Sequence, residues 1–216
     1  MGTLTTLGKV EAFEQFVALA LEAEGLVVSS ALKFPVKRRT RKTAYEEWQT
    51  HGFEVDLVAA RADKLVLATV KSFFGSRGVV AAHVRGESEN RTWNAAYALL
   101  NDEQIRATVV EAAAERFGFG IEHVELRLYV GKFAGGGSEA AVREWCAQQI
   151  VGAGPIAVVG AGEVVATVRR VAGSKQYRDN AVLATLKVLD AAGALDQTPT
   201  APRVPREERY PGSPIR

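Results

Sequence analysis

Asp56, Thr69 and Lys71 are the residues whose types and spacing point most directly to chemistry. Asp56 lies in the segment GFEVDLVAA and the Thr69–Lys71 triplet in KLVLATVKSFF, joined by the short polar link Arg61-Ala62-Asp63. Both segments are apolar and rich in β-branched residues, which reads as an antiparallel strand pair. Strand alternation puts Phe53, Val55 and Leu57 on one face and Glu54 and Asp56 on the other. Thr69 and Lys71 share a face with Leu65 and Leu67. A hairpin brings Asp56 alongside them, so a carboxylate, a hydroxyl and an ammonium meet at one end of a mostly apolar sheet. A carboxylate there can hold a divalent cation, and a lysine can stabilise negative charge developing on a phosphate. The competing account is a strand-end salt bridge with no chemical role.

Two further elements are needed to complete such a site. Residues 9–24 carry apolar side chains at Val10, Phe13, Phe16, Val17, Ala20 and Leu21, the spacing of a helix packed on one face, with Gly25 as its stop. Glu14 falls at the edge of that face, where it either turns toward the sheet or reaches water. LVVSSALKFPV follows, read as extended chain, and leads into a basic stretch. Lys33, Lys37, Arg38, Arg39, Arg41 and Lys42 crowd this stretch without an intervening acid. Such a cluster can neutralise several phosphates; its plainer reading is a solvated loop. Tyr45 and Trp48 beside it offer rings that stack on bases or fill the core margin.

The ordered set of helix glutamate, EVD strand, short turn and apolar strand ending in lysine resembles the PD-(D/E)XK nuclease superfamily. The family pattern is an aspartate near the start of one strand and an acid-x-lysine triplet on the next. Asp56 matches the aspartate, Lys71 the lysine, and Glu14 the helix glutamate that many members carry. The likeness covers roughly residues 9–75. It implies an α/β fold of the restriction-endonuclease-like kind, with a mixed central sheet flanked by helices and the Asp56 and Thr69–Lys71 strands central. It also implies magnesium-dependent hydrolysis of phosphodiester bonds, in which the metal polarises the phosphate and activates water. In that scheme Asp56 holds the metal and Lys71 positions the water or stabilises charge.

The sequence departs from the pattern at one place. Thr69 stands where the family carries glutamate, aspartate or sometimes glutamine. A neutral hydroxyl is a weaker partner for magnesium than a carboxylate; Glu54 or Glu14 is then the source of a second metal-ligating acid. Two expectations follow. One is a metal-dependent DNA nuclease using Asp56, Lys71, Glu14 and Thr69, with Asp56, Glu14 and Glu54 toward magnesium. The other is a catalytically silent module on the same fold that binds nucleic acid through Lys37, Arg38, Arg39, Arg41 and Lys42. A third reading has the basic loop meeting an acidic protein. DNA is the expected partner and RNA the other candidate. Pairing of two copies through the helix of Val182, Leu183, Leu186 and Leu189 is expected if that helix does not simply pack on the core.

Composition bounds these readings. The 216 residues allow one sizeable core, with 24% charged residues and a net charge of +2. One domain is expected over 1–196. Residues 197–216 form a separate tail, since five of the seven prolines (Pro199, Pro202, Pro205, Pro211 and Pro214) fall there. The lone Cys146 excludes an internal disulfide and a cysteine zinc site, and fits a reducing compartment. No apolar run spans a bilayer and the N-terminus lacks signal-peptide character, so a cytoplasmic location is expected.

The remaining segments supply the scaffold. RTWNAAYALL and QIRATVVEAAAERFG read as helices broken and capped at Asn101-Asp102, HVELRLYVGKF as a strand, and EAAVREWCAQQI as a helix capped by Ser138. PIAVVGAGEVVATVRRV reads as two strands around a glycine turn, because its second half is β-branched. A nucleotide-binding turn there lacks its third glycine, Val165 taking that place. His51, His83 and His123 show no metal-ligand spacing. Ser72 and Ser76 have no histidine arranged beside them.

Overall fold

The structure, a computed structural model, describes residues 12–39, 48–174 and 180–195, and of Arg38 and Arg39 the backbone alone. The first helix, α1 (Ala12–Ala23), buries Phe13, Val17, Ala20 and Leu21, and ends where Gly25 takes φ +80°. Three strands follow: β1 (Val27–Arg39), β2 (Trp48–Arg61) and β3 (Lys64–Lys71). β1 pairs with β2 and β2 with β3, both antiparallel, as the two apolar runs and their short link require.

Four helices come next: α2 (Ala81–Val84), α3 (Arg91–Ala95), α4 (Ala98–Asn101) and α5 (Glu103–Phe117). Asp102 caps α5, its carboxylate accepting from the Ile105 amide at 3.1 Å. β4 (Val124–Val130) then pairs parallel to β3. The helix α6 (Ser138–Gln148) begins one residue earlier than its composition suggests: Gly137 is the cap, and the Ser138 hydroxyl donates to the Gly135 carbonyl. A small hairpin of β5 (Ile150–Val151) and β6 (Gly154–Pro155) leads to β7 (Ala157–Gly160), parallel to β4. Two helices, α7 (Ala161–Ala172) and α8 (Ala181–Ala191), follow.

The result is a five-stranded mixed sheet in the order β1-β2-β3-β4-β7, with helices on both faces. β3 is central and buried on both sides: Leu65 and Leu67 face α4, α5 and α6, while Val66, Ala68 and Val70 face α1, α7 and α8. Each such leucine or valine contributes about 1.5–3 kcal/mol by burial. This is why β3 reads as a continuous apolar run. Val182, Leu183 and Leu186 of α8 pack on the second of these clusters. Residues 197–216, and residues 9–11 of the expected first helix, lie outside the described residues.

One expectation fails outright. PIAVVGAGEVVATVRRV forms a strand, β7, and a helix, α7, not two strands. Glu163 explains it: its carboxylate accepts the Gly160 amide at 2.7 Å and binds Arg143 at 2.7 Å, fixing the helix start. Val164 and Val168 then fall four apart on the buried face, so tertiary packing overrides β-branched propensity. The same carboxylate fills the helix N-terminus that a bound phosphate would need.

Candidate functional site

Asp56 marks the point where β2 leaves β3. The ladder between them runs from Arg61↔Lys64 to Leu57↔Ala68. Beyond it the Val70 amide donates to Asp56 Oδ2 at 2.6 Å, so a side chain takes the place of the next ladder bond. The Thr69 hydroxyl donates to the same oxygen at 3.1 Å, and Lys71 Nζ lies 3.8 Å from it. Three neighbours thus converge on Oδ2. Both members of the Asp56–Lys71 pair are largely withdrawn from solvent, their side chains 24% and 19% exposed. Screening is weaker there than for an open surface pair.

The faces of β2 change at this residue. Val55 and Phe53 join the cluster under α5, whereas Leu57 and Ala59 join the one under α1. The simple alternation that put Phe53, Val55 and Leu57 on one face is therefore broken. β1 makes the same switch: Val28 packs on the α1 side, and Leu32, Phe34 and Val36 on the α5 side. The cause lies opposite Asp56, between the Ser30↔Leu57 and Leu32↔Val55 pairs, where Ala31 takes φ +53°. A left-handed residue rotates the ladder and turns the outer half of the hairpin into a two-stranded ribbon.

A cavity of about 70 Å³ adjoins the cluster, lined among others by Glu54, Asp56, Thr69, Lys71, Ala96 and Leu99. Lys71 Nζ stands 5.9 Å from the centre of the Tyr97 ring. Tyr97 is buried, and burial raises its phenol pKa, so it presents a neutral ring to the ammonium. Tyr97 and the Val70 amide were not legible as site groups, since neither belongs to a chemical motif. Gly131 is a third case. Its amide donates to the Lys71 carbonyl at 2.8 Å, and a Cβ there would meet the Ser72 carbonyl oxygen. Only glycine allows β4 to approach the end of β3 this closely.

The remaining predicted residues are placed as follows. Glu54 lines the cavity and faces Lys33 at 3.6 Å, the lysine side chain 64% and the glutamate 50% exposed. Glu14 is half-buried in the first turn of α1. That helix packs through Phe13 and Val17 with Val70, on the face opposite Thr69 and Lys71. Lys37 is exposed on β1, paired with Thr50. Arg38 and Arg39 end that strand, and Arg41 and Lys42 lie outside the described residues. His51 is exposed on the ribbon, and the His83 ring stacks on Trp93 at 5.2 Å.

The donor set does not suit magnesium. Among the described residues, no three His, Cys, Asp or Glu side chains gather as a metal-holding group. Asp56 is opposed by Lys71, and Glu54 on the same cavity by Lys33, which leaves little net negative charge to offset dehydration of a dication that prefers several oxygen ligands. No helix among the described residues is long and apolar enough to cross a membrane. Compared with family models and with curated protein sequences, the chain matches none.

Proposed function

We propose that this chain is a nucleic-acid-binding module on a restriction-endonuclease-like fold, with its nuclease-type site reduced to a non-cleaving Asp–Thr–Lys cluster. The observation that carries this reading is the Thr69 hydroxyl on Asp56 Oδ2, where the resembled pattern has a second acid. The Asp56 strand lies beside the Thr69–Lys71 strand in a mixed sheet, the placement the resemblance implies. Asp56 ends the β2–β3 ladder and Lys71 is held by Asp56, so the cluster serves as a structural clamp. Binding falls to the basic end of β1, where Lys37 is exposed. Contacts of this kind position a phosphate backbone and read no sequence.

The test is an anisotropy titration of the full chain with labelled DNA and RNA, single- and double-stranded, over a range of salt. The expected result is binding that weakens steeply with salt, is lost in the K37E/R38E/R39E variant and ignores chelator. Binding indifferent to salt and to those charges, or none at all, overturns the reading.

The second reading, a magnesium-dependent nuclease, draws on Glu54 lining the same cavity as Asp56. It predicts plasmid cleavage with magnesium or manganese that Lys71→Ala abolishes. Under the reading preferred here, neither metal supports cleavage.

A further inference from the structure

We propose that the groove between the β1–β2 ribbon and α5 binds single-stranded nucleic acid, the Trp48 indole stacking on an unpaired base while Lys37 pairs with an adjoining phosphate. The inference rests on the nucleic-acid reading above and adds the substrate class and the site.

The groove exists because the hairpin outlives the sheet. Beyond Asp56, residues 48–55 pair with β1, and among the described residues the ribbon's outer half has no third strand. Its cavity of about 740 Å³ is lined by Pro35, Lys37, Trp48 and Thr50 from the ribbon and by Gln104 and Thr108 from α5. That volume lies within the roughly 300–1,000 Å³ range of sites that enclose a small ligand. It suits a base with its sugar and phosphate.

The lining chemistry selects among ligands. Lys37 stands opposite Thr50, and Trp48 lies two residues before Thr50 on the same strand, which places these three side chains on one side of the ribbon. Trp48 is 60% exposed and lies open in the groove, whereas Trp93 is stacked on His83. Among the described residues no acid lines the groove, and none stands between Lys33 and Lys42 in the sequence. A positive track beside an open aromatic face is the combination that holds single strands without reading their sequence. In a duplex both faces of each base are covered by stacking, so an indole reaches a base only where the strand is unpaired. The Gln104 amide is placed to meet a base edge or sugar.

The test compares a short labelled oligothymidylate, the matching oligouridylate and a duplex of the same length, each titrated with full-length wild type, W48F and W48A at fixed salt. Trp48 is exposed, so both variants are expected to fold, and circular dichroism checks this. Wild type is expected to bind the single strands on the order of 10-fold more tightly than the duplex. W48A is expected to lose about that factor on single strands with little change on duplex, and W48F to retain most of it. A preference for one oligonucleotide identifies its natural strand, and equal affinity supports a site that accepts either. Duplex bound as tightly as single strands, or W48A matching wild type on single strands, overturns this inference while leaving the phosphate-binding reading intact. No binding to any of the three ligands overturns both.

Discussion

The Thr69 hydroxyl donates to Asp56 Oδ2 at 3.1 Å, placing a neutral donor on the oxygen that also receives the Val70 amide. A carboxylate at position 69 would instead repel Asp56. Thr69→Glu therefore tests the cluster directly. Without metal, the variant is expected to lose about 1–3 kcal/mol, from the lost hydrogen bond and the like-charge contact. With excess manganese it is expected to regain stability, because two carboxylates now face one lysine. Thermal melts with and without manganese provide the check. Wild type stabilised by manganese as much as the variant would contradict the donor-set argument.

Asp56 has a structural duty separate from any chemistry. Its carboxylate is the acceptor for the Val70 amide, and Val70 is buried at 6% exposure. Asp56→Ala is expected to leave that donor unpaired and to cost about 1–3 kcal/mol. Asp56→Asn keeps a carbonyl oxygen in reach and is expected to cost less than half as much. Urea melts of the two variants decide it. Equal losses would show that the charge, and not the amide bond, is what the fold uses.

How much of this was legible depends on range. The β2–β3 hairpin, the Asp102 cap and the meeting of Asp56 with Thr69 and Lys71 follow from local pattern and a short link, and all are present. The helix after Gly160 was not legible, because Glu163 acts through Arg143 from a different element. The face switch at Asp56 was hidden for a related reason. Ala31 has no intrinsic preference for positive φ, so only the paired strand reveals the distortion. The Trp48 groove combines two segments far apart in sequence.

Ala31 offers a test of that distortion. It is exposed at φ +53°, a conformation that disfavours a Cβ. Ala31→Gly removes the local penalty but adds chain entropy to the unfolded state. The first effect is expected to win, raising stability by up to about 1 kcal/mol, while Ala31→Val lowers it. Denaturant melts read both. A glycine variant less stable than wild type would mean that the strain at Ala31 is smaller than the added chain entropy.

Arg127, midway along β4 and paired with Ala68, sets the response to acid. It is 8% exposed, and its guanidinium binds both oxygens of Glu24 at 2.7 and 3.0 Å, Glu125 at 3.0 Å through Nε, and the Tyr129 hydroxyl at 3.3 Å. Burial alone would raise the pKa values of Glu24 and Glu125. The hydrogen bonds and charge of Arg127, with help from Lys64, outweigh it and hold both below the ordinary 4.5. A carboxylate with a depressed folded-state pKa stabilises the protein fully above its unfolded value, and that contribution is lost as pH falls through the folded one. Arg127→Met is therefore expected to cost about 2–3 kcal/mol at neutral pH. This is modest for breaking a buried pair, because the two carboxylates remain 37% and 32% exposed. The gap from wild type is expected to narrow as pH drops below about 4.5, where the carboxylates protonate and the guanidinium loses its partners. Stability curves that stay parallel down through that range would show that Arg127 acts by packing, and not by holding the two carboxylates charged.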